Sequence, residues 1–199
     1  MTADSPALIT EVTSSTATIR FNRPAERNPL STPTLHELRD TLAKIIPRPD
    51  IKAIVFTGTD DVFAAGADIR ELTQLDSESA KQFSQLGQGL CQMIADAPQL
   101  TVASINGYCI GGALDLVLAC DIRIASATAV FAHPGARLGI ITGWGGTQRL
   151  PRIIGRAHAI EFFATARNCT AARALELGLV SEIADPVLNR ALELAAIHS

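Results

Sequence analysis

The sequence predicts an α/β fold, on three observations. Residues 51–57 and 100–105 are short, mostly apolar runs with the length of strands covered on both faces. Between them Phe83, Leu86, Leu90 and Met93 or Ile94 fall on one face of a helical stretch. Strand, helix, strand in that order makes a right-handed crossover unit. The 199 residues are 47% hydrophobic and 19% charged, which suits one domain with a substantial core and argues against disorder.

The remaining elements follow in order. Residues 7–12 and 17–21 read as two strands around the turn Thr13-Ser14-Ser15-Thr16. Asn22-Arg23-Pro24 ends the second, because proline and the residue before it disfavour continued regular structure. Ser31 is placed to cap a helix running to about Ile46, with Leu35, Leu38, Leu42 and Ile45 in one apolar stripe. Residues 47–50 close it, and Gly58 ends the strand that follows. The small residues of segment 60–72 suit a close backbone approach, and the next helix is capped near Ser77. Residues 122–125 and 130–132 read as short strands, and 133–150 as a loop that becomes helical near its end. Residues 156–166 form a helix, Thr170 caps another that stops at Gly178, 179–183 is a candidate strand, and Pro186 begins a final helix.

Net charge is −3, aromatic content is 5% and there is no basic block, so nothing favours nucleic-acid binding. No uncharged run is long enough to span a bilayer, and the first six residues lack the basic and apolar regions of a signal peptide. Cys91, Cys109, Cys120 and Cys169 have neither CxxC nor His-ligand spacing, so they read as small core residues rather than metal ligands. A cytoplasmic protein, without membrane or nucleic-acid partners, is expected.

Residues 105–121 are the stretch around which the chain is organised. They read as the end of a buried strand, a glycine-rich turn and a short helix, apolar over 113–119 except for Asp115. Gly107 lets the chain turn, and Gly111-Gly112 lets the backbone approach something closely. Two readings fit. In one, the N–H groups at Gly111 and Gly112 stabilise a developing oxyanion while Asp115 moves a proton. In the other, the glycines serve packing and Asp115 caps or pairs.

Four stretches occur together: Phe21-Asn-Arg-Pro-Ala-Glu-Arg-Asn-Pro-Leu-Ser31; Val55-Phe-Thr-Gly with Phe63-Ala-Ala-Gly-Ala-Asp-Ile69; residues 105–116 with 120–125; and Leu138-Gly-Ile with Gly145-Gly-Thr-Gln-Arg-Leu-Pro151. In this order and spacing the chain closely resembles the enoyl-CoA hydratase/isomerase, or crotonase, family over nearly its whole length. The resemblance implies a spiral of repeated strand–strand–helix units over residues 1–185. It implies an acyl-CoA thioester substrate, a homotrimer or hexamer, and no cofactor beyond the coenzyme A of the substrate. By motif, the oxyanion hole falls on the N–H groups of Ala67 and Gly112 and the acid–base carboxylate on Asp115. Arg27, Ala65, Ala67, Asp68 and Ile69 fall where the family holds the pantetheine and adenine of CoA. Arg27 or Arg70 either meets a CoA phosphate or is a solvated charge. Tyr108, Gly111, Gly112, Pro134, Gly135 and Leu138 complete the expected binding residues.

The sequence departs from the family's hydratases at both acids. Asp115 stands where they carry a first glutamate, and Gly135, after Phe131-Ala-His-Pro134, where they carry a second. Dienoyl-CoA isomerases of the family share the aspartate but keep that second glutamate and add an aspartate aligned near Gly143. Naphthoate synthases share the glycine only within a local match. The expectation is isomerisation or atypical, slow hydration of an enoyl-CoA, or alternatively a non-catalytic acyl-CoA binding or assembly protein. Family members also continue for several more helical turns, so 186–199 reads as the start of a shortened C-terminal helical region, with a more open pocket or one completed by a neighbouring chain.

His133, beside the missing glutamate, reads as a base or as a hydrogen-bonded structural group. Trp144 reads as a lid, a pocket wall or a surface anchor, Arg137 as a carboxylate holder or a subunit salt bridge, and Cys109 as core. His36, His158 and His198 carry no signal.

Overall fold

The computed structural model describes residues 6–197. Residues 1–5, read above for a leader, and His198 lie outside that range. The chain opens on a hairpin, β1 (Leu8–Thr13) and β2 (Thr16–Phe21), antiparallel about Ser14, whose φ is 54°. β3 (Pro29–Leu30) leads into α1 (Thr32–Ile45), capped by Ser31, whose hydroxyl accepts the Thr34 N–H at 3.4 Å.

Three turns of a spiral follow, each placing one strand in a first sheet and the next in a second. The first is β4 (Ala53–Thr57), then β5 (Val62–Ala64), then β6 (Gly66–Ala67), α2 (Ile69–Leu72) and α3 (Ser77–Ala95). The second is β7 (Leu100–Ile105), β8 (Tyr108–Ile110) and α4 (Gly112–Val117). The third is β9 (Ile122–Ala125), β10 (Val130–Ala132), a 3-10 turn over Pro134–Leu138, α5 (Gly146–Ile154) and α6 (Arg156–Thr165). β11 (Cys169–Thr170), α7 (Ala171–Glu176), β12 (Glu182–Ile183) and α8 (Val187–Ile197) close the chain.

The first sheet runs β1-β2-β4-β7-β9-β12 and the second β11-β10-β8-β5, while β3 pairs with β6 alone. Apart from the hairpin and the β10–β11 pair, every pairing is parallel. The resemblance's spiral of strand–strand–helix units is the architecture found.

The corners between sheets stack on one another. The side chain of Asn106 accepts the Gly58 N–H at 2.8 Å and donates to the Asp60 carbonyl at 2.9 Å. The Ser126 hydroxyl donates to the Asn106 carbonyl at 3.1 Å, so three successive corners are joined by hydrogen bonds. Glycine is required where they touch: a Cβ on Gly107 would lie 1.7 Å from the Asp61 carbonyl oxygen. One core fills the space between the sheets and helices, centred on residues such as Phe21, Phe56, Phe63 and Phe131. On the outer face of the first sheet, Val187, Ala191 and Ala195 of α8 pack on Ala53, Val55, Val102 and Ile124. The stretch expected to begin a C-terminal region is thus docked on the spiral.

Some boundaries differ from the sequence reading. Asp76, not Ser77, caps α3: its carboxylate accepts the Ser79 N–H at 2.8 Å while Ser79 Oγ accepts the Asp76 N–H at 2.9 Å. The candidate strand 179–183 shrinks to β12, because the Leu179 and Val180 N–H groups bond back to the Ala174 carbonyl at the end of α7, at 2.8 and 3.3 Å.

Two glycine-to-alanine changes should act in opposite directions. Gly107→Ala should cost about 1–3 kcal/mol through its backbone clash. Gly89→Ala, exposed on α3 with nothing within 4 Å of the new methyl, should add about 0.5–1 kcal/mol. Urea unfolding of both variants beside the parent checks the pair.

Candidate active site

Two backbone turns meet where β6 passes the start of α4. Gly66, at φ +83°, has no side chain to hold them apart; a Cβ there would lie 2.4 Å from the Ile110 carbonyl oxygen and 2.8 Å from the Gly112 nitrogen. β6 is set by its pairing with β3, Leu30 opposite Ala67, and by the Ala65 N–H donating to the Arg27 carbonyl at 2.9 Å. Asn28, buried at φ 49°, donates to the Val62 and Phe63 carbonyls at 3.0 Å each and fixes the same segment. Gly111, at φ 58° and ψ −122°, caps α4 through its backbone: its carbonyl accepts the Leu114 N–H at 2.9 Å and the Asp115 N–H at 3.2 Å. As the first helical residue, Gly112 has no intrahelical acceptor for its own N–H.

A cavity of about 280 Å³ opens beside this meeting point. Its walls are mainly apolar, with Leu72, Leu75, Phe83, Ile140, Ile141 and Trp144, and its polar side chains are Ser84, Asp115, His133 and Thr142. Trp144 is buried and seated between two glycines on different helices: a Cβ on Gly87 of α3 or on Gly112 of α4 would lie 2.3 Å from its ring. Phe83 packs on the indole with centroids 5.4 Å apart. The loop bearing Trp144 is fastened to α3, since Ser84 and Gln88 donate to the Gly143 carbonyl at 2.8 and 2.7 Å. Trp144 is therefore a wall, not a lid or surface anchor.

The Asp115 side chain is 2% exposed. The Thr142 hydroxyl donates to its Oδ2. Its Oδ1 and the Nε2 of His133 face each other at 3.7 Å, and neither has a hydrogen-bond partner among the described residues. The neighbouring thiols are inert. Burial pushes Cys91 up to about 12 and Cys109 well above its ordinary value, so neither is an activated nucleophile. Among the described residues no group of three or more His, Cys, Asp or Glu is arranged to hold a metal ion.

Of the residues expected from the sequence to form the site, Ala65, Ala67, Ile69, Gly111, Gly112, Asp115, Pro134, Gly135 and Leu138 line the cavity. Arg27, Asp68 and Tyr108 do not. Arg27 sits in the left-handed region at φ 64°, and it contributes its carbonyl to the turn while its side chain is exposed. Asp68 caps α2 by accepting the Arg70 N–H at 2.9 Å, and its salt bridge to the Arg70 guanidinium at 2.6 Å holds its carboxyl below the usual carboxylate range. Tyr108, 43% exposed on β8, is not among the residues lining the cavity. Thr142, Ser84 and the leucines of the α2 region were not anticipated, and no local pattern in the sequence marks them.

The enoyl-CoA hydratase/isomerase family model matches residues 11–197. A crotonyl-CoA hydratase of Syntrophomonas wolfei is 36% identical over 180 residues, 90% of this chain and 69% of that protein. A short-chain-enoyl-CoA hydratase of Clostridium acetobutylicum is 35% identical over 191 residues, 94% of this chain and 73% of the other. The crystal structure of an enoyl-CoA hydratase from Bacillus anthracis superposes with a TM-score of 0.92 at 34% identity, covering 96% of this chain and 76% of that one.

Gly135 is buried, with a φ outside the left-handed region, yet it has no room for a side chain. A Cβ there would lie 2.6 Å from the Ile140 carbonyl oxygen, where the chain folds back to bond the Ile140 N–H to the Gly135 carbonyl at 3.0 Å. Gly135→Ala should therefore lower stability by about 1–3 kcal/mol, and Gly135→Glu should not restore an acid without moving the loop. Thermal unfolding of both variants tests this.

Proposed function

The chain belongs to the enoyl-CoA hydratase/isomerase family, and on that premise we propose that it polarises an enoyl-CoA thioester and moves a proton on its acyl carbons with Asp115. Family membership makes it an enzyme acting on acyl-CoA. The observation that carries the finer reading is a buried carboxylate in a cavity wall within one helical turn of the Gly112 N–H. In this reading the thioester oxygen sits between the N–H groups of Ala67 and Gly112. Electron density moves onto it as the acyl chain reacts, and each such donor is worth about 10²–10³ in rate. Asp115 takes a proton from one carbon and returns it to another, which isomerises the double bond; taking it from water instead gives hydration. The short-chain hydratases named above support a short enoyl group, and the apolar walls at Leu72, Leu75 and Phe83 suit an aliphatic one. Coenzyme A enters as part of the substrate and no further cofactor takes part.

The homotrimer or hexamer belongs to the same proposal. Ile69, Leu138, Ile140 and Ile141 are 57%, 47%, 49% and 67% exposed at the cavity mouth, an apolar rim that association would remove from water. Light scattering across dilution should give a multiple of three chains; a monomer mass throughout refutes it.

For the chemistry, calorimetry should show heat with butyryl-CoA and crotonyl-CoA and none with the free acids. Asp115→Asn keeps the shape and removes the proton carrier. Turnover of crotonyl-CoA or its 3-enoyl isomer should fall by about 10²–10⁴ with little change in thioester affinity. Parental rates in that variant would make Asp115 structural.

A further inference from the structure

We propose that His133 is the positioning residue for Asp115, a side chain whose Nε2–H orients Oδ1 in this site. The inference rests on the reading of Asp115 as the proton carrier. It starts from an imbalance: a buried carboxylate needs a compensating charge or a full set of hydrogen bonds. Asp115 has one hydrogen bond at Oδ2, from Thr142, and none at Oδ1. The group facing Oδ1 is His133 Nε2 at 3.7 Å, itself unpartnered on a side chain only 8% exposed. A histidine buried for structure alone would find hydrogen bonds for its nitrogens, as buried polar groups do. Here the orphaned nitrogen and the orphaned oxygen are each other's nearest opposite.

Two further observations place the imidazole deliberately. Its Nδ1 lies 3.5 Å from where a Cβ on Gly135 would stand, so the ring lies directly beside that glycine. It also packs on Phe163, with ring centroids 5.3 Å apart at 73°. Held there, the imidazole aims the carboxylate.

The working unit then has three parts. Asp115 carries the proton, Thr142 orients Oδ2, and the Nε2–H of His133 orients Oδ1. When Asp115 accepts a proton from substrate or water, the tie from His133 to Oδ1 weakens. Return of that proton to the substrate carbon restores the pair, with no net proton taken up. The separation of 3.7 Å is longer than a hydrogen bond, and such contacts commonly tighten once substrate excludes water.

The test compares two variants of opposite character on the full chain. His133→Gln keeps an N–H within reach of Oδ1 on a differently shaped side chain. His133→Leu keeps comparable bulk and loses the N–H. With crotonyl-CoA and but-3-enoyl-CoA, kcat should fall about 10–100-fold for Gln and further, about 10²–10⁴-fold, for Leu. KM and the butyryl-CoA affinity should stay within about three-fold of the parent. In the Asp115→Asn background either change should add almost nothing, because the residues act as a unit. A leucine variant with parental kcat, or losses that simply add to those of Asp115→Asn, would overturn the proposal while leaving Asp115 as the proton carrier. A parent chain that binds thioesters and turns over neither substrate would instead overturn the Asp115 reading, and this inference with it.

Discussion

Everything in the site depends on two stretches of backbone being allowed to touch. Gly66 and the Gly111-Gly112 turn approach so closely that one methyl group on Gly66 would collide with the Ile110 carbonyl and the Gly112 nitrogen. Glycine costs roughly 0.5–1 kcal/mol of chain entropy wherever it is fixed, and the fold accepts that cost where the cavity is built. In return, main chain rather than side chains lines this part of the cavity, at Gly111 and Gly112. Backbone donors are rigid, so in the proposed mechanism they need no reorganisation as charge develops. The spiral sets them in register: β5, which leads into β6, and β8, which leads into α4, are adjacent parallel strands of one sheet.

The polar groups follow a second constraint, set by burial. A helix turn as apolar as Ala113–Val117 can carry one carboxylate only if its surroundings compensate. The polar groups beside it come from outside the helix: the Thr142 hydroxyl, from the loop before α5, donates to Oδ2, and His133, just after β10, faces Oδ1 at 3.7 Å. Gly146 belongs to the same arrangement, because a Cβ there would lie on top of Asp115 Oδ1. One acid is therefore hemmed in by three segments, and its environment depends on the whole third turn of the spiral.

These facts also explain what could be read from the sequence. Long buried strands such as β4 and β7 were legible because five or six mostly apolar residues in a row leave few alternatives. The two- and three-residue strands β5, β6 and β8 were not, since no period can be counted over so short a run. Asp115 was legible as the one polar residue in an apolar helix, and the close-approach glycines as a glycine-rich turn before it. Tyr108 was placed in the cavity wall because it is near Gly111 along the chain. It is 43% exposed on β8 and does not line the cavity, because nearness in sequence does not fix which face of a strand a side chain takes. Thr142 was missed because it meets Asp115 across 27 positions of sequence, a contact that no local pattern announces.

Trp144 ties the two constraints together. Its indole lies flat against the positions where Gly87 and Gly112 lack side chains, so one ring bridges α3, α4 and the loop that carries Thr142. A wall residue of the cavity is thus packed against Gly112, the residue whose N–H would meet the thioester oxygen in the proposed mechanism. Close-packed interiors transmit displacement instead of absorbing it. Any shift of α3 that moves the indole also presses on Gly112, and through the same loop it moves the Thr142 hydroxyl relative to Asp115. The shape of the acyl pocket and the alignment of the polar groups are consequently one mechanical property. A substrate that fits the walls poorly would disturb the donors and the carboxylate together, which couples the choice of acyl group to proton transfer without any moving lid.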